Sequence, residues 1–185
     1  MACLLDSGYA LGCRDNIGGV KRVFIGKVIS TERRNNYGIS GGEINDTNSA
    51  IEYYTFDQEM EAASFSQNGT YSTENGTVFF DQQLTLIFHK NSTALRAKLL
   101  DLSQLNLRVI VQDQRDQFWL MGLSNGVRAI SGAMNTGKAF GDMNGVTLTL
   151  QSKDAEPAFR INTATVATLG ATVPSGGAGF NINPA

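Results

Sequence analysis

One histidine, one tryptophan, two cysteines and three prolines are spread over 185 residues. Each scarcity removes a class of chemistry. A structural zinc site draws its ligands from clustered cysteines and histidines. Here His89 stands far along the chain from Cys3 and Cys13, so no metal is expected. A bridge between those cysteines would close only a short N-terminal loop. Residues 1–12 have neither the basic start nor the long apolar stretch of a secretion signal. Two reduced thiols in a chain made in the cytosol are the expectation. Charge is scarce too. Charged residues make up 17% of the chain and the net charge is −2, where ordinary domains carry about 25% charged residues. That balance excludes a basic nucleic-acid surface and a highly charged disordered chain. No apolar run reaches the roughly 18 residues of a membrane-crossing helix, so no membrane partner is expected.

Short runs of β-branched and aromatic residues, separated by Gly, Asn, Ser and Thr, occupy most of the chain. They predict a mainly β fold. Val20 to Ser30 reads as a strand with apolar residues on both faces. Ile51 to Phe56 is a shorter one. Residues 31–50, rich in Arg, Asn and Gly, read as a loop or a long hairpin arm. Asn68-Gly69 and Asn75-Gly76 are turn signals, because the favoured two-residue turn needs positive φ at both positions. A short strand containing Tyr71 is expected between them.

The centre is the most legible part. Phe80, Gln82, Leu84, Leu86 and Phe88 share one face of a strand from Val78 to Phe88 at period two. Asn91 or Ser92 then caps a helix that runs to about Leu102. Leu95, Leu99 and Leu102 form its apolar stripe, widened by Ala94, Ala97 and Leu100. Leu105 to Val111 and Gln117 to Leu123 predict a hairpin around a charged turn. Val127 to Ser131 is short and extended. A glycine-spaced loop covers residues 132–145, and Val146 to Leu150 is a strand. No charged side chain follows Arg160. Pro174 onward reads as a flexible arm, and the apolar residues of the uncharged tail, Val173, Phe180 and Ile182 among them, are anchors for a neighbour.

Catalytic patterns fail one after another. His89 has no Gly-x-Ser-x-Gly elbow to serve. The carboxylates follow no spacing that pairs them for acid–base work. Gly132 and Gly137-Lys138 have the spacing of a phosphate loop, yet Ala139 stands where a magnesium-binding hydroxyl is required. No enzyme and no cofactor are expected. Arg33 and Arg34 form the one paired basic spot near glycines and are candidate partner contacts. Tyr53, Tyr54 and Trp119 are candidate stacking faces for a carbohydrate- or surface-binding β module, the alternative of a different class.

Three stretches carry a family resemblance. They are Gly12 through Lys21, Gln117-Phe118-Trp119-Leu120-Met121-Gly122-Leu123 with Asn125-Gly126, and Ser131 through Gly145 into Val146-Thr147-Leu148-Thr149-Leu150. In that order, with the capped helix between strands, the chain resembles tail tube and related structural proteins of tailed bacteriophages, those of Bacteroidetes-type hosts most closely. The resemblance implies a β-sandwich or rolled antiparallel sheet with one flanking α-helix over residues 1–160, with an N-terminal arm at 1–19. Residues 161–185 are an uncharged extension. It further implies homo-oligomeric rings, hexamers in most such proteins, that stack into a tube conducting DNA. Other virion tail or connector proteins are implied partners, with the virion tail as location after assembly in the host cytoplasm. Residues 31–50 are then the stacking arm, mobile in a free subunit and ordered in the polymer. Arg33, Arg34, Tyr53, Tyr54, Val173, Phe180 and Ile182 are the candidate assembly contacts. A head–tail connector, tail terminator or capsid decoration protein is the alternative within the same class.

Overall fold

A computed structural model describes residues 16–28, 34–47 and 51–162, and the backbone of 181–183. Cys3, Cys13, Arg33, Val173 and Phe180 lie outside the described residues, as does most of the uncharged extension.

The chain is mainly β, with two sheets and one flanking helix. In order it forms β1 (Val20–Lys27), a 3-10 turn (Arg34–Asn36), β2 (Tyr37–Ser40), β3 (Glu43–Thr47), β4 (Glu52–Asp57), β5 (Ser64–Ser72) and β6 (Thr77–Phe88). Then come α1 (Thr93–Gln104), β7 (Leu107–Asp113), β8 (Phe118–Met121), β9 (Arg128–Asn135), β10 (Gly145–Asp154), β11 (Phe159–Ile161) and β12 (Asn181–Asn183). The larger sheet runs β12-β4-β1-β7-β8-β11-β3-β2, and the smaller β5-β6-β10-β9. The larger sheet is mixed rather than antiparallel, because β11 pairs with β3, and β12 with β4, in parallel. Each of these pairs joins segments over a hundred residues apart, so the connections are long enough to bring the second strand back in the same direction.

The first core lies between the sheets. Val23 and Ile25 of β1 meet Leu84 and Leu86 of β6 and Leu148 and Leu150 of β10, and α1 adds Leu99 and Leu102. Ser92 caps α1 by accepting from the Leu95 N–H at 3.2 Å. Leu95 is partly buried, as its place in the stripe requires, but Leu100 is 59% exposed. The stripe is therefore narrower than the sequence suggests.

A second core covers the other face of the larger sheet, with Phe24, Tyr53, Ile110, Leu120, Ile44 and Ile161. This is why β1 reads as apolar on both sides: strands covered on both faces lose the alternation of half-buried ones. Each such side chain contributes roughly 1.5–3 kcal/mol on full burial. The Arg108 guanidinium of β7 lies 5.3 Å from the centre of the Tyr37 ring of β2. In a flat sheet four strand steps separate β7 from β2, about 19 Å. The contact requires the sheet to curl until its far edge returns over β7.

That curl gives the loop or long hairpin arm expected at residues 31–50 its place. The described part, 34–47, is a hairpin built into the sheet, with Tyr37 and Ile44 buried. Gly41 and Gly42 make its two-residue turn at φ of 63° and 80°, the positive values such a turn demands. Asn68-Gly69 is reassigned. It lies inside β5, where the Tyr71 ring folds over Gly69; a Cβ there would stand 2.6 Å from the Tyr71 hydroxyl. Asn75-Gly76 is the real turn, with Gly76 at φ 60°. The segment 181–183, expected within a flexible arm, is a strand on the β4 edge.

Candidate assembly surface

The smaller sheet has one apolar face and one polar face of mostly uncharged side chains. Alternation sends Leu84, Leu86, Leu148 and Leu150 inward. It therefore turns Thr85, Gln83, Thr149 and Gln151 outward. Register lines these into rows across the sheet. Ser64 pairs with Thr85, Thr85 with Thr149, and Thr149 with Ser131, giving hydroxyls on all four strands. The next row holds Ser66, Gln83, Gln151 and Arg128. Charge gathers toward one end, with Arg128, Lys153 and Asp81, whose carboxylate accepts from Gln151 Nε2 at 2.7 and 2.9 Å. Hydroxyls and amides exchange partners with water at little net cost, so the face is wet and weakly charged.

Both edges of this sheet, β5 and β9, are unpaired among the described residues. Free edges present rows of N–H and C=O groups that another strand can satisfy. Beside β9 runs a groove of about 700 Å³ between the sheet and α1. Leu100, Ile130 and Met134 line it and are 59, 52 and 51% exposed. Ile130 occupies this position because β9 shifts register opposite Thr149 and Leu150, and a bulge re-aims the extra residue. On β5, the side chain of Tyr71 is also largely exposed.

The β9–β10 loop is compact. The Asp142 carboxylate accepts from the backbone N–H groups of Lys138 and Ala139, both at 2.8 Å. Gly137 takes φ 71° over the Asp142 side chain. The N–H groups that a phosphate loop would offer are thus engaged by an internal carboxylate. Phe140, at the tip, is wholly exposed. The Ala139 N–H, then the Lys138 N–H, hold the Asp142 carboxyl below the ordinary aspartate range. A depressed folded value means the carboxylate's contribution is present at neutral pH and lost as pH falls through that value. Amide exchange at Lys138 and Ala139, corrected for intrinsic rates, is expected to be slow near neutrality and to accelerate in acid below the ordinary aspartate range. Protection unchanged across that range would contradict the loop's description.

The remaining expected contacts scatter. Arg34 binds Glu156 of its own chain, with Nη2 2.8 Å and Nε 3.1 Å from Oε2, and is spent within the subunit. Tyr53 is buried in the second core, so its ring offers no face to a partner, whereas Tyr54, next along β4, is 49% exposed. Trp119 donates its Nε1–H to Asp113 at 3.2 Å and is half-buried. Two adjacent strand residues point to opposite faces, so Tyr53 and Tyr54 make no common stacking platform. Ile182 lies in β12, beside Tyr53 in register. His89 is exposed at the end of β6. Among the described residues no group of three or more His, Cys, Asp or Glu side chains is placed to hold a metal ion, and no helix is long and apolar enough to cross a membrane.

Sequence reasoning placed Leu100 in the helix's apolar stripe and did not single out Ile130, Met134 or Phe140. Phe140, set between a lysine-alanine pair and a glycine in a turn, carried the one usable signal: a large apolar residue where turns are polar. No protein-family model, curated protein or solved structure matches this chain.

Proposed function

We propose that the protein is a structural subunit of a bacteriophage virion that assembles into stacked rings of the tail tube. The observation that carries this reading is the smaller sheet: four antiparallel strands, an outer face of hydroxyls and amides with Arg128, Asp81 and Lys153 toward one end, and two edges unpaired among the described residues. Because the strand number is even and every pairing is antiparallel, rotation about a ring axis sets β9 of one copy antiparallel to β5 of the next. The sheet then continues from subunit to subunit without a break in its pattern. Rings of this kind use heterologous contacts that close by rotation.

Six copies would place ~24 strands in the ring. At about 4.8 Å per strand the backbone diameter is about 37 Å before strand tilt widens it. Inward side chains leave a bore of about 25 Å, room for duplex DNA. A lining mostly of Ser, Thr and Gln suits passage, since a densely basic wall would hold phosphates by counterion release; Arg128 and Lys153 stand only toward one end of it, in the rows that also hold Gln151 and Asp81. The two sheets packed through one core make a β-sandwich the natural description of such a subunit. The wider setting follows from the same reading: assembly in the host cytoplasm, residence in the virion tail, contact with other tail or connector proteins, and transient, non-specific contact with DNA.

Negative-stain electron microscopy across a concentration series tests the proposal. Hollow stacked rings are expected. Single finite rings would favour a terminator or connector instead, and a monomer at every concentration would contradict self-assembly.

A further inference from the structure

Phe140 is the most exposed large apolar side chain among the described residues, yet it sits on a turn held rigid by two backbone-to-carboxylate hydrogen bonds. Ordering a loop in order to present a phenyl ring to water has no benefit to the isolated chain. The ring is worth roughly 1.5–3 kcal/mol once buried.

The other end of the same hairpin offers a place for it. Where β9 begins and β10 ends, a hollow of about 480 Å³ is lined by Asn125, Arg128, Ile130, Gln151 and Lys153. Ile130 gives it an apolar wall. Arg128 and Lys153 give it two cations, neither in an ion pair among the described residues. Cations near an aromatic face are attracted by its quadrupole, and Lys153 already lies 5.8 Å from the centre of the Phe79 ring. The tip also carries the Asp142 carboxylate, opposite in sign to the hollow, with Lys138 as its own cation. Tip and hollow are separated by the eight residues of β9, about 27 Å of strand. A shift along the strand direction therefore brings the tip of one copy to the hollow of another. Such a contact is heterologous and does not close, so it propagates.

We propose that Phe140 is the axial anchor between copies of this chain, seated in the Arg128–Ile130–Lys153 hollow of the next copy. This rests on the stacked-ring reading above and names the residues that would stack the rings.

The test uses the full chain in two forms. Phe140→Ala is compared with wild type by electron microscopy and sedimentation velocity. In parallel, a photo-cross-linking phenylalanine analogue at position 140 is irradiated and its adducts are mapped. The expected result is single rings without stacks for Phe140→Ala, at least a tenfold loss of stacked species, and intermolecular adducts on residues 125–130 or 151–153. Stacking equal to wild type, or adducts that avoid the hollow, would overturn the anchor while leaving ring formation intact. End-to-end oligomers cross-linked at the hollow but without rings would support the anchor and overturn the tube. Monomers throughout, without adducts, would overturn both. Circular dichroism should be unchanged by Phe140→Ala, since the side chain touches nothing in its own subunit's core.

Discussion

Lysine at both Leu100 and Met134 is expected to leave the protein monomeric at concentrations a hundredfold above those at which wild type is expected to form rings. Both side chains line the groove beside the β9 edge and are more than half exposed. Their replacement costs the isolated subunit little, within about 0.5 kcal/mol each for surface positions. In the proposed ring the same groove would be covered by the β5 edge of the neighbour, whose Phe65 and Tyr71 alternate onto the groove side. Two ammonium groups there would be desolvated without partners, which costs several kcal/mol. A hundredfold shift needs only about 2.7 kcal/mol. Sedimentation velocity measures assembly, and a thermal melt checks that the fold persists. Rings at wild-type concentrations would show that the groove lies outside the lateral contact.

Gly145→Ala is expected to cost on the order of 3 kcal/mol of stability. Gly145 opens β10 beside the end of β6, and a Cβ there would collide with the Phe88 carbonyl oxygen and crowd the Phe88 carbonyl carbon and the His89 Cα. All three are backbone atoms of the paired segment, so no side chain can turn away. The β6–β10 pairing must open at that end, and with it the seats of Val146 and Leu148 in the first core. For a chain of this size that loss lowers Tm by about 10 °C. Gly132→Ala is the control. The nearest atom to its Cβ position is Leu148 Cδ1 at 3.8 Å, an ordinary contact, so the melt should barely move. Equal effects at the two glycines, read by chemical or thermal denaturation, would contradict the β6–β10 packing.

The parts of the fold legible in the sequence were those governed by local period. The strand at Val78 to Phe88 shows its buried face directly, because only one side of it meets the core. The Ser92 cap and the Leu95, Leu99 and Leu102 stripe place α1 for the same reason. The hairpin of β7 and β8 follows from its charged turn, where Asp113 accepts from the Arg115 and Gln117 N–H groups at 2.9 Å each. What period cannot carry is the curl of the larger sheet. Residues 34–47 look like a solvated arm because their Gly and Asn density is real. Tyr37 and Ile44, buried together with Thr47, nonetheless dock them, and nothing near them in sequence announces the surface they dock on. Asn68-Gly69 misleads in a similar way, since its glycine serves the Tyr71 ring rather than a turn.

The assembly surface was legible in one part only. Alternating Thr147 and Thr149 among leucines announces a sheet with a polar outer face. The matching hydroxyls, Ser64, Thr85 and Ser131, are distant in sequence and are brought into one row by register alone. Tyr53 and Tyr54 illustrate the converse. As a pair they suggest a binding platform, but adjacent strand residues are divided between core and solvent. Leu100 belongs by spacing to the edge of an apolar stripe and is left uncovered by the subunit itself, which is the condition for a neighbour to cover it.

The most direct test of the account is a cryo-electron microscopy reconstruction of the assembled particle, resolved well enough to trace strands around its bore. The account requires a continuous antiparallel sheet with four strands from each copy, β9 meeting β5 of the next, and Thr85 and Thr149 facing the lumen. A bore lined by the larger sheet, or β5 and β9 edges left open to solvent in the particle, would contradict it.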